Sequence, residues 1–201
     1  MAFTILAVTA SARKNSVSAA LGKELIDVIM RAHPNARLIR HDLGFSPAPM
    51  PFVDENWITG ANSDPASHTP EVTAALDLSN LLTTEVLTAD AIVIATPIYN
   101  FSIPACLKAW IDQVVRAGLT FAYSGPGQYK GLVPAGKRAY LVVSSGGVEV
   151  GSPYDAATSY LRTILGFIGI TDVTVIAADQ LVMQGETQVA KAKAEIAALA
   201  T

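Results

Sequence analysis

The stretch Ala91-Ile-Val-Ile-Ala-Thr-Pro-Ile-Tyr-Asn-Phe-Ser-Ile-Pro-Ala-Cys-Leu-Lys-Ala-Trp110 decides how this chain is read. It opens with an unbroken apolar run closing on Thr96-Pro97, the pattern of a strand buried on both faces. Pro104-Ala105 then starts a helical pattern with Leu107, Trp110, Ile111 and Val114 on one side. Between the two, Ile98-Tyr99-Asn100-Phe101 forms a short turn at the carboxyl end of the strand, where open parallel sheets place ligands. A flat apolar wall, an amide and free backbone N–H groups suit a planar heteroaromatic ring better than a sugar or a metal.

Working outward, strand-like runs at 3–8, 37–41, 89–95, 138–143 and 172–177 alternate with helical periodicity, which predicts a parallel sheet with helices on both faces. The helix over 18–31 keeps Leu21, Leu25, Val28 and Ile29 in register. Thr69-Pro70-Glu71 supplies an N-cap, a first-turn proline and an acid ahead of Val72, Leu76, Leu82 and Val86. Pro153 is expected to begin another helix through Tyr160, Leu161, Ile164 and Leu165, with Gly166 or Gly169 to end it, and a last one rich in Ala and Lys covers 186–199. Right-handed crossovers leave few arrangements, and five strands fit the order 2-1-3-4-5 of an α/β, flavodoxin-like three-layer sandwich. Two segments break the rhythm. Residues 43–68, with Pro47, Pro49, Pro51, Phe52 and Trp57, read as a long connection without periodicity, and residues 120–132 read as a hairpin around Gly125-Pro126-Gly127.

With 201 residues, 51% of them hydrophobic, the chain can build one large core, so a single domain over 1–201 is expected. A net charge of −3 with scattered Lys and Arg leaves no footprint for nucleic acid. No basic leader precedes the first strand and no apolar run reaches membrane-spanning length, which argues for the cytoplasm and against a membrane partner. Cys106, the only cysteine, has no partner for an internal disulfide and reads as a small core residue.

Three loops carry the chemistry. Thr9-Ala-Ser-Ala-Arg-Lys-Asn-Ser-Val-Ser18 follows the first strand and enters a helix; hydroxyls and unpaired amides at a helix N-terminus make a phosphate cradle. Neither the glycine pattern of a dinucleotide fold nor a Gly-Lys-Ser/Thr motif is present. The fourth strand ends in Ser144-Ser145-Gly146-Gly147, where glycines admit close approach and the serines can donate to ring heteroatoms. A monophosphate at the first loop and a polar flat ring at the other two describe FMN. His33, His41 and His68 lack metal-ligand spacing with one another or with Cys106, so no metal is expected. No Gly-x-Ser-x-Gly elbow or carboxylate pair offers a catalytic side chain, which leaves the chemistry to a cofactor.

Ile5-Leu-Ala-Val-Thr-Ala-Ser11, Ser16-Val-Ser18, Pro97-Ile-Tyr-Asn-Phe101, Arg116-Ala-Gly-Leu-Thr-Phe121, Ser144-Ser-Gly-Gly147 and Leu165-Gly-Phe-Ile-Gly-Ile-Thr-Asp172 together resemble the FMN-dependent NADH azoreductases over nearly the whole chain. The resemblance implies a homodimer with two FMN sites at the subunit interface, reducing quinones as well as azo compounds. By position it puts the phosphate on Ser11, Ser16, Val17 and Ser18, the ring on Ile98, Tyr99, Asn100 and Phe101 beside Pro97, and the far edge on Ser144, Ser145, Gly146 and Gly147. It places Tyr123 and Phe167 in the substrate pocket. Ala10, Ser145 and Glu149 depart from residues common in the family, which bears on substrate preference.

The expected activity is hydride transfer from NADH or NADPH through noncovalent FMN to a quinone or azo compound in a ping-pong cycle. A reductase supplying free reduced FMN and a flavodoxin-type electron carrier remain alternatives. The dimer interface is expected to include the helix carrying Trp110 and the excursion near Tyr123, with Phe52 and Trp57 as candidates for a lid.

Overall fold

The computed structural model describes residues 2–46 and 49–199. Pro47, one of the prolines of the 43–68 segment, lies outside the described residues. In chain order the elements are β1 (Thr4–Thr9), α1 (Val17–Ala32), β2 (Arg37–Asp42), α2 (Glu55–Ala61), α3 (Pro70–Thr88), β3 (Ala91–Pro97) and α4 (Ala105–Val114). Then follow β4 (Phe121–Gly125), β5 (Gln128–Gly131), β6 (Arg138–Ser144), α5 (Ala156–Ile168), β7 (Asp172–Ala178) and α6 (Leu181–Ala198).

β1, β2, β3, β6 and β7 form one parallel sheet in the order β2-β1-β3-β6-β7. This is the expected 2-1-3-4-5 order once the antiparallel hairpin β4–β5 is set aside as a separate two-stranded unit. Pairing runs Thr9 to Ala95, Pro97 to Ser144, and Ser144 to Ala178, so the carboxyl ends of β1, β3, β6 and β7 open on one side of the sheet. Every residue of β3 is buried, as its apolar run requires. At the sheet edge, β2 leaves Arg37, Arg40 and Asp42 exposed.

Successive residues of a strand point to opposite faces, and the core divides accordingly. Leu6, Val8, Ile92, Ile94, Leu141 and Val143 cluster with Leu82 and Val86 of α3, Leu107 and Ile111 of α4, and Leu161 and Leu165 of α5. Ile5, Ala7, Val93, Val142 and Ile176 enter a second cluster with Leu21 and Leu25 of α1 and Ala192 and Ile196 of α6.

Local chemistry fixes most helix ends. Ser16 caps α1 by accepting from Ala19 N, Asp54 caps α2 through Trp57 N, and Thr69 caps α3 through Val72 N. α5 starts at its Asp155 cap rather than at Pro153, and Gly169 ends it with φ +109. α6 starts five residues before the expected 186, with a non-helical Gln184 and an N-terminal Gln180 that offers no side-chain cap. Its first turn puts Val182 and Met183 on the surface, 84% and 75% exposed, so apolar periodicity could not reveal it.

The 43–68 segment is not wholly irregular. It contains the seven-residue α2, too short to display a helical period, and a 3-10 turn at Pro65–Ser67. Gly60 lets α2 lie directly on α3, because a Cβ there would stand 2.7 Å from Leu76 Cδ1 and 2.8 Å from Val72 Cγ1. Trp110, expected at a dimer interface, is instead 3% exposed inside the chain's own core. No helix among the described residues is long and apolar enough to cross a membrane.

Candidate functional site

The loops after β1, β3 and β6 meet the start of α6 around a cavity of about 360 Å³. Ser11, Ser16 and Val17 line it from the first loop, Pro97, Ile98 and Tyr99 from the second, and Ser144, Ser145 and Gly146 from the third. Nine of the thirteen sequence-assigned cofactor residues are thereby brought to one place. The other four do not line the cavity: Ser18 is fully buried, its hydroxyl paired with that of Ser16, while Asn100, Phe101 and Gly147 are exposed.

The first loop is organised by its own hydroxyls. Ser11 Oγ accepts from Arg13 N at 3.2 Å, and Ser16 Oγ accepts from Ala19 N at 3.2 Å while pairing with Ser18 Oγ at 3.1 Å. The cap engages Ala19, leaving the earlier amides of α1 without intrahelical acceptors and turned toward the helix N-terminus. Gly44, after β2, supports the loop from behind, since a Cβ there would stand 1.9 Å from Ser11 O.

The second loop is a tight reverse turn. Tyr99 and Ser102 exchange backbone hydrogen bonds of 2.9 and 3.0 Å around Asn100 and Phe101, both left-handed at φ 48 and 70. Two successive positive φ values are the mark of a type I′ turn. An aromatic residue adopts that conformation rarely, and here it is held by Ala156 N donating to Phe101 O at 3.0 Å. Ile98 N donates to Ser144 O at 2.8 Å, which locks the second loop to the third.

In the third loop Ser145 acts differently from its expected role as a donor to a ring. Its hydroxyl donates to Val148 O and accepts from Gln180 N at 3.3 Å, and the residue is 4% exposed. Ser145 O and Gly146 O accept from Leu181 N and Val182 N, both at 3.0 Å, so this loop carries the start of α6 to the cavity. Asp179 accepts from Val150 N at 2.7 Å and braces the same turn.

Four lining residues escaped the sequence reading: Arg13, Asn15, Leu181 and Val182. Arg13 and Asn15 stand between serines already assigned, but the loop carries two adjacent cations, Arg13 and Lys14, and only the structure shows that Arg13 is the one lining the cavity. Leu181 and Val182 carry no local signal; only the pairing of β6 with β7 brings them there.

Tyr123 and Phe167 do not line this cavity. They belong to an aromatic group on the hairpin and α5, in which Phe121 and Phe167 ring centroids are 4.7 Å apart, Tyr129 and Phe167 5.2 Å, and Tyr123 and Tyr129 5.5 Å. Tyr123 is 69% exposed. Trp57 is not a free lid, because its indole N–H donates to Gln113 Oε1 at 2.8 Å, whereas Phe52 is exposed. Of the histidines, His41 pairs with Glu85 at 2.6 Å and His33 stacks on Phe3 at 3.8 Å, each satisfied away from the cavity. Cys106 packs against the core, with its thiol 3.6 Å from Ala10 O, and burial raises its pKa above the ordinary value.

A family profile described as flavodoxin-like fold matches residues 4–200. An FMN-dependent NADH:quinone oxidoreductase of Jannaschia sp. is 46% identical over 198 residues, covering 98% of both chains. One of Thiobacillus denitrificans is 46% identical over 184 residues, 91% of this chain and 87% of that protein. Among solved structures, an azoreductase of Bacillus anthracis superposes with a TM-score of 0.88 at 27% identity, covering 98% of each chain. This chain therefore belongs to the flavodoxin-like fold family, among the FMN-dependent NADH:quinone oxidoreductases and azoreductases.

Proposed function

We propose that this protein is an FMN-dependent NADH:quinone oxidoreductase that also accepts aromatic azo compounds, built as a single three-layer domain with helices on both faces of the sheet and working in the cytoplasm as a homodimer. The observation that carries the reading is the convergence of three strand-end loops on one cavity, with hydroxyls, a helix N-terminus and Arg13 at one end and the Ile98–Tyr99 wall at the other.

The residues fit FMN. Ser11, Ser16 and the first amides of α1 offer donors to a phosphate, and Arg13 adds a positive charge, while Asp179, a buried carboxylate beside the third loop, is engaged by Val150 N. Ser18 serves from behind, by fixing the hydroxyl of Ser16. Pro97, Ile98 and Tyr99 would hold the ring, with Asn100 and Phe101 shaping the constrained turn beside them, and Ser144 and Gly146, with Gly147 next to them, would hold it from the third loop. Bound FMN supplies the two-electron relay between the nicotinamide donor and the acceptor. The chain's own part would be to orient the nicotinamide donor and the acceptor in turn in this one cavity, the arrangement of a ping-pong order.

Tyr123 and Phe167 support the homodimer. Exposed Tyr123 and half-buried Phe167 belong to an aromatic group that does not line their own chain's cavity, and in a homodimer they would serve the cavity of the second copy.

The decisive experiment is flavin analysis of purified protein followed by NADH and quinone kinetics. Stoichiometric FMN per chain and parallel double-reciprocal lines are expected. Release of FAD, absence of flavin after reconstitution, or intersecting lines would overturn the reading. A stable one-electron flavin radical during redox titration would favour the electron carrier instead.

A further inference from the structure

A second cavity, of about 430 Å³, lies between α2, α3 and the turn after α4, and it shares no lining residue with the site described above. Ser63, His68, Thr73, Asn80 and Arg116 form its polar wall, and no aspartate or glutamate lines it. Arg116 is 6% exposed. Its Nη1 donates to Ser79 Oγ at 2.8 Å and to Asn80 Oδ1 at 3.4 Å, and its guanidinium lies 5.3 Å from the Trp57 ring centroid. All of these partners are neutral, and Nε has none. Among the described residues Arg116 joins no ion pair. His68 Nε2 is likewise buried without a partner.

The sequence invests in holding this cation. In Arg116-Ala-Gly-Leu-Thr-Phe121, Thr120 Oγ1 accepts from Arg116 N at 2.8 Å and donates to Val114 O at 2.8 Å, closing the turn, while Gly118 takes φ +78. Burial alone holds the guanidinium below its usual pKa, with no opposing charge to restore it. A buried, uncompensated guanidinium is costly, and its planar fork matches a carboxylate.

We propose that this cavity is a binding site for a small carboxylate anion, taken by Arg116 and His68 with the Asn80 amide as a further donor. A carboxylate fits better than phosphate because the wall holds one fixed cation and carries apolar surface from Leu76 and Leu119. An anion seated here would tie α2 and the 3-10 turn at Pro65–Ser67 to the turn after α4.

The test is a titration of the full-length protein with benzoate at constant ionic strength, followed through the side-chain Nε–H resonance of Arg116, with inorganic phosphate and chloride run alongside. The expected result is a saturable shift with benzoate and weaker responses to the other two. Apparent affinity should fall at least about tenfold in Arg116→Gln and also in Ala61→Trp, which fills the cavity from its rim without removing a polar group. His68→Leu, at a half-buried position, gives the same test should Arg116→Gln fail to fold. A shift that stays linear to about 50 mM benzoate, or one unaltered in Ala61→Trp, would overturn the proposal. So would an Arg116 signal that moves with protein concentration alone, because a carboxylate of a second copy would then occupy the site. The same outcome with and without bound flavin separates this site from the cofactor reading.

Discussion

The cavity at the strand ends and the β4–β5 hairpin are both loop structures bearing assigned residues, yet only the first is knit to the main sheet by hydrogen bonds. Around the cavity the loops are tied to one another within the fold: Ser145 is held by Val148 and Gln180, Ile98 by Ser144, and the Asn100–Phe101 turn by its own paired amides. The hairpin is the opposite case. Its aromatic residues pack on one another and on Phe167, but Tyr123 and Tyr129 remain 69% and 53% exposed. The contrast teaches that loops anchored on a sheet are held in place by their own chain, whereas exposed aromatic rings on an excursion are left for the proposed second copy to cover.

The strongest way to break this contrast is Gly44→Val. The new side chain must displace the carbonyl of Ser11, a backbone group fixed to the sheet, so the substitution should destabilise the protein by about 3 kcal/mol and abolish FMN retention. Urea unfolding and flavin content after gel filtration measure both effects. Retention of full flavin would mean that the first loop does not hold the phosphate.

A gentler test acts on the hairpin side alone. Tyr123→Ala and Phe167→Ala should alter the ratio of kcat/KM between a quinone and an azo dye by about tenfold while bound FMN stays stoichiometric. Unaltered ratios in both variants would remove these residues from the acceptor pocket, and loss of flavin would erase the proposed division of labour between the two regions.

Ser145→Ala sharpens the cavity side. It removes the hydroxyl bridge between the third loop and the start of α6 without touching the lining backbone, so FMN affinity should weaken about fivefold, read by fluorescence titration. A loss of several orders of magnitude would instead mean that the hydroxyl meets the cofactor directly.

The smallest effect concerns Cys106, whose thiol lies against Ala10 of the first loop. Burial raises its pKa, so less thiolate is present at a given pH than in an exposed cysteine, and alkylation should stay slow in mildly alkaline buffer and accelerate only above the ordinary thiol range. Rates of iodoacetamide labelling from neutral to alkaline pH check the sign; labelling as fast as for a free thiol would show the loop to be open.

Legibility in the sequence followed the same division. β3 could be read because all of its residues are buried and all but Thr96 are apolar, and α3 because Thr69, Pro70 and Glu71 announce its start chemically. The cavity's first and second loops were readable for a related reason: Ser16 is at once the helix cap and a lining residue, so a structural signal marks a functional place. What escaped was fixed by distant parts of the chain. The first turn of α6 depends on Ser145 and Gly146 carbonyls some thirty-five residues earlier, α2 on the bare face of Gly60 against α3, and the burial of Trp110 on the packing of α4 beneath the sheet. The serine pair at 144 and 145 looked equivalent in sequence; only the geometry separates a hydroxyl committed to its own loop from one that is not.

The exposed charges on β2 have a further consequence, for solubility. A sheet edge presents a row of unpaired amides and carbonyls to which any other strand could add. Arg37, Arg40 and Asp42 place desolvation penalties along that edge, with His41 tied to Glu85 beside them. Chains meeting edge to edge would have to strip water from these groups before gaining a ladder. Growth of the sheet from molecule to molecule through this edge is thereby discouraged.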